Sequence, residues 1–291
     1  MEIRVLQYFL AIAREQSISG AAEFLHISQP TLSRQIRDME EELGKQLFIR
    51  GNRKIELTEE GMLLRRRAEE IVNLAKKTEK EIMNTDSVIT GDIYIGAGET
   101  AAIDYVAQTA ALLKEKHPAI QYHISSDDAI DILEQLDKGL IDFGIIIGSV
   151  DKVKYDYQLL PVKDSWGVLM RKDAPLAAKE FVEAADLKNV PLIVSRQISD
   201  NHNIASWFPK GLSNYNISAT YNLVYNATYM AARGIGYVLT LDRLINTTGD
   251  SSLCFRPLYP KVETDIYIIW KKYQMFSKAA EEFLKILKSI I

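Results

Sequence analysis

A short run of polar residues has the types and spacing needed to read DNA. Amide, hydroxyl and guanidinium groups can hydrogen-bond to base edges and to phosphates. The set consists of Ser28, Gln29, Thr31, Ser33, Arg34 and Arg37. The same residue types also make an ordinary solvated helix surface, so the neighbouring sequence has to decide between the two interpretations.

The apolar residues interleaved with this set predict a helix. They recur at i, i+4, i+7 and i+11, at Leu32, Ile36, Met39 and Leu43. This spacing puts them on one buried stripe and turns the polar set toward solvent. Ser28 has the residue type and position of a helix N-cap.

A basic stretch follows this helix. From Leu43 to Lys54 there are four basic residues and no acidic one, a local balance of +4 in a chain whose net charge is −4. Two strand-like runs, 46–50 and 54–57, are joined by Gly51-Asn52 and predict a hairpin. Arg53 and Lys54 at its tip would suit a narrow minor groove or phosphate contacts.

Two more helices are predicted before the helix that carries the polar set. Apolar residues recur at helical spacing from Leu6 to Ala13, and a second helix runs through 20–25 to a tight turn at His26-Ile27. Three helices followed by a hairpin form a winged helix-turn-helix pattern, whose third helix enters the major groove. A rival interpretation is a small-molecule binding protein of another class, in which these helices only mediate association. The basic hairpin and the polar helix surface favour DNA binding.

A long helix beginning at Thr58 carries a seven-residue repeat. Its members are Leu57, Gly61, Leu64, Ala68, Ile71, Ala75, Thr78 and Ile82. A heptad repeat predicts a seam between two helices, and the small residues in it predict close packing in a dimer. The alternative is that this helix packs on its own domain.

The pattern changes near residues 85–91, where strands begin to alternate with helices. Strand-like runs at 93–96, 120–125 and 143–147 are separated by helix patterns, which implies a parallel sheet. Further strands are predicted at 166–171, 192–195, 217–224, 237–240 and 265–271, followed by a closing helix at 277–290. The fold class is therefore α/β overall.

Polar residues follow several of these strands, where ligands bind in open α/β sheets. The candidates are Gly98, Glu99, Thr100, Ser125, Ser126, Asp127, Gly148, Ser195, Arg196 and Asn226. The hydroxyl and carboxylate members could equally be helix caps. Arg196 would pair with a ligand carboxylate, whereas Glu99, Asp127 and Asp128 would favour an amine or hydroxyls, so the ligand chemistry stays open.

The sequence offers little for catalysis or for a bound cofactor or metal. The four histidines are far apart in the chain, and the single cysteine, Cys254, has no histidine near it. We therefore predict a protein that is not an enzyme and binds no cofactor or metal. Because a signal-peptide core and an apolar run of roughly 18 residues are both missing, we predict a cytoplasmic protein with no membrane partner.

Three motifs give the chain a family resemblance. They are the runs Ile18–Ile36, Leu43–Arg50 and Leu57–Gly61. In residue types and order they resemble the LysR-type transcriptional regulators. The length and the α/β portion agree with that family, although the resemblance is looser after residue 90.

The resemblance implies a domain plan. A winged helix-turn-helix DNA-binding domain would occupy 1–58, a linker and dimerisation helix with a hinge 59–90, and an effector-binding domain 91–291. That last domain would have two lobes like a periplasmic binding protein, lobe I at about 91–161 and 265–291 and lobe II at about 162–264. A small-molecule effector would lie between them, near Thr100, Ser126 or Asp127, and Ser195.

The resemblance also implies the partners. A homodimer formed through the linker helix would bind double-stranded DNA at a pseudo-palindromic promoter site, because the two-fold symmetry of the protein is mirrored in the half-sites. Association into a homotetramer and contact with RNA polymerase would follow from the family.

Overall fold

The computed structural model describes residues 1–51, 54–83, 89–198, 202–209 and 211–291, with only the backbone described at 50, 80, 81, 83 and 202. They form two compact units, Met1–Met83 and Asn84–Ile291, each with hydrophobic clusters of its own. Among the helices in these ranges, none is long and apolar enough to cross a membrane.

Three helices open the first unit. Their bounds are Ile3–Glu15 (α1), Ile18–Phe24 (α2) and Gln29–Leu43 (α3). The Ser28 hydroxyl accepts a hydrogen bond from the Thr31 N–H at 3.3 Å, which confirms the predicted N-cap of α3. Another serine, Ser17, caps α2 in the same way by accepting from the Gly20 N–H at 3.2 Å.

The predicted apolar stripe of α3 faces the core of this unit over most of its length. Its buried members are Leu32, Ile36 and Met39. They pack in one cluster with Phe9 and Ile12 of α1. The prediction is wrong for Leu43, which is 41% exposed, because α3 ends there and the chain turns away at Gly44 with a φ of 64°.

A two-stranded hairpin follows, with strands Phe48–Arg50 (β1) and Ile55–Leu57 (β2) in antiparallel register. The Glu40 carboxylate on α3 accepts hydrogen bonds from the N–H groups of Leu47 (2.7 Å) and Phe48 (3.2 Å). At the other strand, the Ile55 N–H donates to the Gln16 carbonyl at 3.0 Å. Backbone N–H groups at the hairpin therefore hold it to the Glu40 side chain of α3 and to the carbonyl of Gln16, which follows α1.

The long helix spans Glu59–Met83 (α4), and Thr58 caps it by accepting from the Gly61 N–H at 2.9 Å. Gly61 packs closely against the residue that precedes β1. A Cβ at position 61 would be 2.1 Å from the Leu47 carbonyl oxygen. Ala68 and Val72 are buried in the same cluster as α1.

The predicted dimer seam is therefore wrong in its first half. Gly61 and Ala68 are buried within their own unit, and Leu64 packs against the same core. This is the alternative in which the helix packs on its own domain. The exposed apolar residues of α4 include two members of the predicted seam, Ile71 (39%) and Ile82 (79%), together with Leu63 (56%) and Leu74 (41%).

The second unit begins with a parallel sheet, as predicted. Strands Gly91–Ala97 (β3), Ile120–Ser126 (β4) and Phe143–Ile147 (β5) pair in the order β4-β3-β5. Helices Ile103–Lys116 (α5) and Ala129–Asp137 (α6) connect them. The later strand Glu263–Lys271 (β11) returns to pair antiparallel with β5, and the final helix, Lys278–Ile290 (α9), packs on α5. These elements form the first lobe.

One long strand, Tyr155–Arg171 (β6), passes from the first lobe into the second. Its first half pairs with β11. Its second half pairs with Tyr237–Leu241 (β9) and with Leu253–Pro257 (β10). The sequence predicts a strand only at 166–171, in the second half. The first half contains Pro161, which cannot donate to a ladder and lies opposite the register shift between Asp265 and Tyr267.

The rest of the second lobe extends the sheet from β9. Strands Leu192–Ser195 (β7) and Ile217–Tyr221 (β8) are parallel, and the helices are His202–Trp207 (α7) and Val224–Ala232 (α8). The predicted strand at 217–224 is too long, since it stops at Tyr221 and Val224 already begins α8. Strand β10 was not predicted.

Two glycine substitutions test the packing of the first unit. Gly61→Ala should destabilise it by about 1–3 kcal/mol, because the added methyl group overlaps a backbone carbonyl that cannot move freely. The matched control is Gly20→Ala in α2, where the nearest atom to the new Cβ is 3.6 Å away. That change should stabilise by roughly 0.5–1 kcal/mol through helix propensity. Thermal unfolding followed by circular dichroism measures both, and equal stability of the two variants would contradict the packing argument.

Candidate functional site

The first candidate site is the exposed surface of α3. Gln29, Thr31, Arg34 and Arg37 are exposed, and Ser33 is half-buried. The Ser28 and Thr31 hydroxyls lie 2.7 Å apart and share a hydrogen bond beside the N-terminus of the helix. The surface therefore presents amide, hydroxyl and guanidinium groups together, as the spacing predicts.

The two arginines of this surface are weakly engaged within the protein. Arg34 is 83% exposed at its side chain, and its Nε is 3.8 Å from the Asp38 carboxylate. An exposed ion pair at this distance contributes little, so the guanidinium can exchange it for a phosphate or a base.

The hairpin contributes Lys54, which is exposed. The other predicted tip residue, Arg53, lies outside the described residues. Lys45, at the start of the basic stretch, donates to Glu60 at 3.2 Å. One of the basic groups counted from the sequence is thus paired with the first turn of α4.

The second candidate site is a cavity of about 340 Å³ in the second unit. It lies between the lobes, at the ends of β3 and β5 and the start of α6 on one side, and at β7, β9 and the start of α8 on the other. Most of its wall is apolar, including Ile130, Leu133, Ile147, Trp166, Ile198 and Leu241. The volume is within the usual range for small-molecule sites.

Four of the ten predicted ligand residues line this cavity: Gly98, Glu99, Asp127 and Ser195. The remaining six lie outside its lining: Thr100, Ser125, Ser126, Gly148, Arg196 and Asn226. Seven polar or aromatic lining residues are not among those ten: Asp128, Ser149, Trp166, Gln197, Tyr221, Asn222 and Thr240. Trp166 follows the point where β6 crosses between lobes, and a crossing strand has no local sequence signal.

Arg196 is held by carboxylates of the opposite lobe. Its Nε donates to Asp128 at 2.9 Å, a terminal nitrogen donates to the same oxygen, and another contact reaches Asp131 at 3.7 Å. Asp128 is also the N-cap of α6, because it accepts from the Asp131 N–H at 3.2 Å. Burial opposes ionisation, but the Arg196 hydrogen bond and charge hold the pKa of Asp128 below its ordinary value.

Two more hydrogen bonds cross the cleft at helix starts. Glu99 accepts from the N–H of Val224, the first residue of α8. Burial raises the pKa of Glu99, although this hydrogen bond opposes the effect. From the second lobe, the Gln197 side-chain oxygen accepts from the Ala129 N–H of α6 at 3.3 Å.

Thr100 takes part in a buried polar group at the crossing of the lobes. Its hydroxyl donates to Asp164 of β6 and accepts from the Ala102 N–H at 3.1 Å. Arg243 of the second lobe reaches the other Asp164 oxygen at 3.2 Å. Asp164 is fully buried, and burial raises its pKa in spite of these partners. Thr100 is thus engaged by the protein and does not face the cavity.

Among the residues that the structure describes, no group of three or more His, Cys, Asp and Glu could hold a metal ion. The single cysteine, Cys254, is buried in β10, and its sulfur contacts the Arg171 carbonyl at 3.8 Å. The cavity wall offers carboxylates, amides, hydroxyls and apolar side chains to a ligand.

Comparison with known proteins identifies the family of both units. A model described as "Bacterial regulatory helix-turn-helix protein, lysR family" matches residues 3–62, and one described as "LysR substrate binding domain" matches 87–290. The HTH-type transcriptional regulator BsdA of Bacillus subtilis is 31% identical over 202 residues, 68% of each chain. The Hca operon transcriptional activator HcaR of Escherichia coli is 27% identical over 295 residues, 99% of this chain and 97% of HcaR.

A solved structure shares the fold over the full length. Full-length CbnR complexed with its target DNA superposes with a TM-score of 0.77 at 18% identity, with 100% of both chains covered. A helix-turn-helix unit and a two-lobed α/β unit with a cavity between the lobes define a ligand-responsive regulator that binds DNA. The chain belongs to the LysR family. It is a DNA-binding transcriptional regulator whose activity is modulated by a small-molecule effector, as the sequence motifs predicted.

The pairing of Arg196 with Asp128 makes a testable prediction about stability. Arg196→Ala should destabilise the second unit by about 1–3 kcal/mol, because it leaves a buried carboxylate without its charged partner. Adding Asp128→Asn should restore most of the loss, since asparagine still caps α6 and carries no charge. Urea unfolding followed by tryptophan fluorescence reports this unit, because Trp166, Trp207 and Trp270 all lie in it.

The matched control is Arg171→Ala in the same lobe. Arg171 also pairs with an aspartate, Asp173, but both side chains are largely exposed. Its removal should change stability by roughly 0.5 kcal/mol or less. Equal losses for the two arginine variants would contradict the assignment of Arg196 to a structural ion pair.

Proposed function

We propose that this regulator binds a pseudo-palindromic promoter site as a homodimer and that an effector in the cavity between its lobes changes its output. The observation that best supports this proposal is the exposed polar surface of α3, which lies beside a hairpin fixed to the same helix. The three parts of the proposal are DNA contact, dimerisation through α4 and effector binding.

DNA contact is assigned to polar residues of α3 and to its N-cap. Gln29, Thr31 and Ser33 have the groups to hydrogen-bond base edges or phosphates, and Arg34 and Arg37 suit guanine or phosphate. Ser28 acts at the helix N-terminus, where backbone N–H groups favour a phosphate. The resemblance to CbnR, which was solved with its target DNA, supports this use of the fold.

The hairpin adds contacts at its tip. Lys54 is exposed there, and Arg53 belongs to the proposal by its position in the sequence. The hydrogen bonds from Leu47 and Phe48 to Glu40 hold β1 against α3, so the two DNA-contacting elements keep a constant separation. Such fixed spacing allows one unit to read a major groove and reach an adjacent backbone or minor groove together.

Dimerisation is assigned to the exposed apolar surface of α4. Leu63, Ile71, Leu74 and Ile82 fall within an arc of roughly 100° at about 100° per residue. The helix side that carries Gly61, Ala68 and Val72 is already buried in its own unit. The dimer contact therefore uses the exposed arc and not the whole heptad seam read from the sequence.

The family resemblance supports the remaining parts. Dimers associate into a homotetramer, and the DNA-bound assembly contacts RNA polymerase in the cytoplasm. The protein works by binding and not by catalysis, with the effector as its small-molecule partner and no cofactor. Of the ligand residues predicted from sequence, Gly98, Glu99, Asp127 and Ser195 stay in the effector site because they line the cavity.

Alanine variants of the recognition helix test DNA binding. Arg34→Ala should weaken binding by about 1–3 kcal/mol and relax selectivity at one position if it reads a base, or weaken all sequences equally if it holds a phosphate. The matched control is Arg4→Ala on α1, an exposed arginine paired with Glu2. Gel-shift titration on DNA selected by the full chain from a random pool measures both, and unchanged affinity for Arg34→Ala would remove this residue from the interface.

Charged substitutions on α4 test the dimer. Leu63→Lys combined with Leu74→Lys should break the α4 contact and lower the mass of the assembly, because it introduces like charges into an apolar contact on one side of the helix. The control is Val153→Lys, an equally drastic change at a residue of the second unit that is 85% exposed. Sedimentation equilibrium measures the mass of the assembly, and a double variant with the same mass as the parent protein would refute the assigned surface.

A further inference from the structure

The charge of the cavity between the lobes identifies the chemical class of its ligand. Three carboxylates line it, those of Glu99, Asp127 and Asp128, whereas its described lining contains no lysine, arginine or histidine. The sequence left the ligand open because Arg196 could have offered a positive charge. The structure removes that alternative: Arg196 is engaged by Asp128 and Asp131 and is absent from the lining.

Three backbone N–H groups at helix starts beside the cavity are also engaged. In clefts of this kind the N–H groups at helix starts are the usual anion-binding elements. Here the Val224 N–H of α8 is bonded by Glu99, and the Ala129 N–H of α6 by Gln197. The Asp131 N–H is bonded by Asp128. At any of these three N–H groups, a carboxylate ligand would have to displace the present acceptor and lie among the acidic groups of the lining.

A cation in the cavity would lie near carboxylates that have no cationic partner among the described residues. Asp128 is neutralised by Arg196, but Glu99 and Asp127 have no cationic partner in the described chain. Asp127 accepts from Gln135 through one oxygen at 3.1 Å, so its other oxygen keeps its accepting capacity. An ammonium group has three donors and the complementary charge.

The remaining wall residues indicate the chemistry of the uncharged part of the ligand. Ile130, Leu133 and Leu241 make it apolar around these carboxylates. Trp166 lines the same cavity, and its indole N–H is buried with no acceptor in the described chain. An unpaired buried donor is unfavourable, so this part of the wall favours an apolar ring or chain that also carries a neutral hydrogen-bond acceptor.

We infer that the effector of this regulator is a small organic amine, with an apolar body and a protonated amino group that pairs with Glu99 and Asp127. The inference rests on the proposal that the effector occupies this cavity. The raised pKa of Glu99 agrees with it, because a nearby cation would relieve the unfavourable burial of that carboxylate.

Matched compounds that share one body and differ only in the headgroup test this inference. The probes are 3-phenylpropylamine, 3-phenylpropan-1-ol and 3-phenylpropanoate, together with the hexyl amine, alcohol and acid of the same design. Isothermal titration of the full chain at neutral pH measures their affinities. We expect each amine to bind at least about ten-fold more tightly than the matching carboxylate, with the alcohol between them.

Variants separate local charge from the overall charge of the protein. Glu99→Gln combined with Asp127→Asn should reduce the preference for the amine to about three-fold or less, because both carboxylates are removed while their accepting oxygens remain. Asp156→Asn is the control, since it removes one exposed carboxylate of β6 that does not line the cavity. It should leave the preference unchanged.

The outcomes distinguish the two proposals. A carboxylate that binds as tightly as its amine, and is excluded by Ser149→Trp at the cavity wall, would overturn the inference while leaving the cavity as the effector site. An amine preference equally reduced by Asp156→Asn would also overturn it. Failure of all six compounds to bind would count against the cavity itself, and therefore against the proposed function.

Discussion

The ion pair between Asp128 and Arg196 is the interaction on which the second unit most depends. One carboxylate caps α6, neutralises a guanidinium from the other lobe and lies almost entirely out of water. A buried carboxylate needs several donors at once, and those available here come from both lobes. The same carboxylate therefore caps α6 and joins the two lobes across the cleft.

Local features of the first unit could be predicted because short-range rules determine them. Ser28 caps α3 and Thr58 caps α4, since serine and threonine hydroxyls satisfy N–H groups within three residues. The contacts of Glu40 and Gly61 with Leu47 could not be predicted, because they depend on how the chain folds back between α3 and α4 and not on a rule that acts within one helix. The heptad repeat of α4 shows the same limit: periodicity identifies a face but not the partner that covers it.

The cleft was predicted in outline, and its chemistry was not. Strand ends gave Gly98, Glu99, Asp127 and Ser195, because ligands bind beyond the carboxyl ends of parallel strands. Thr100 also follows the end of a strand, but its hydroxyl donates a hydrogen bond to Asp164, which lies 64 residues away in sequence. Whether a polar side chain faces a ligand or another protein group depends on tertiary contacts of this kind.

The arrangement of cores explains how a ligand in this cavity could change the protein. The largest clusters of the second unit belong to different lobes, and the half-buried Ile147 packs against both. Cleft closure is then determined mainly by a few polar contacts: Asp128 with Arg196, Glu99 with Val224, and Gln197 with Ala129. A ligand shifts such an equilibrium only by its differential affinity for the open and closed forms. Because every one of these contacts includes a residue of the cavity lining, an occupant that pairs with Glu99 or Asp127 acts directly on the groups that hold the lobes together.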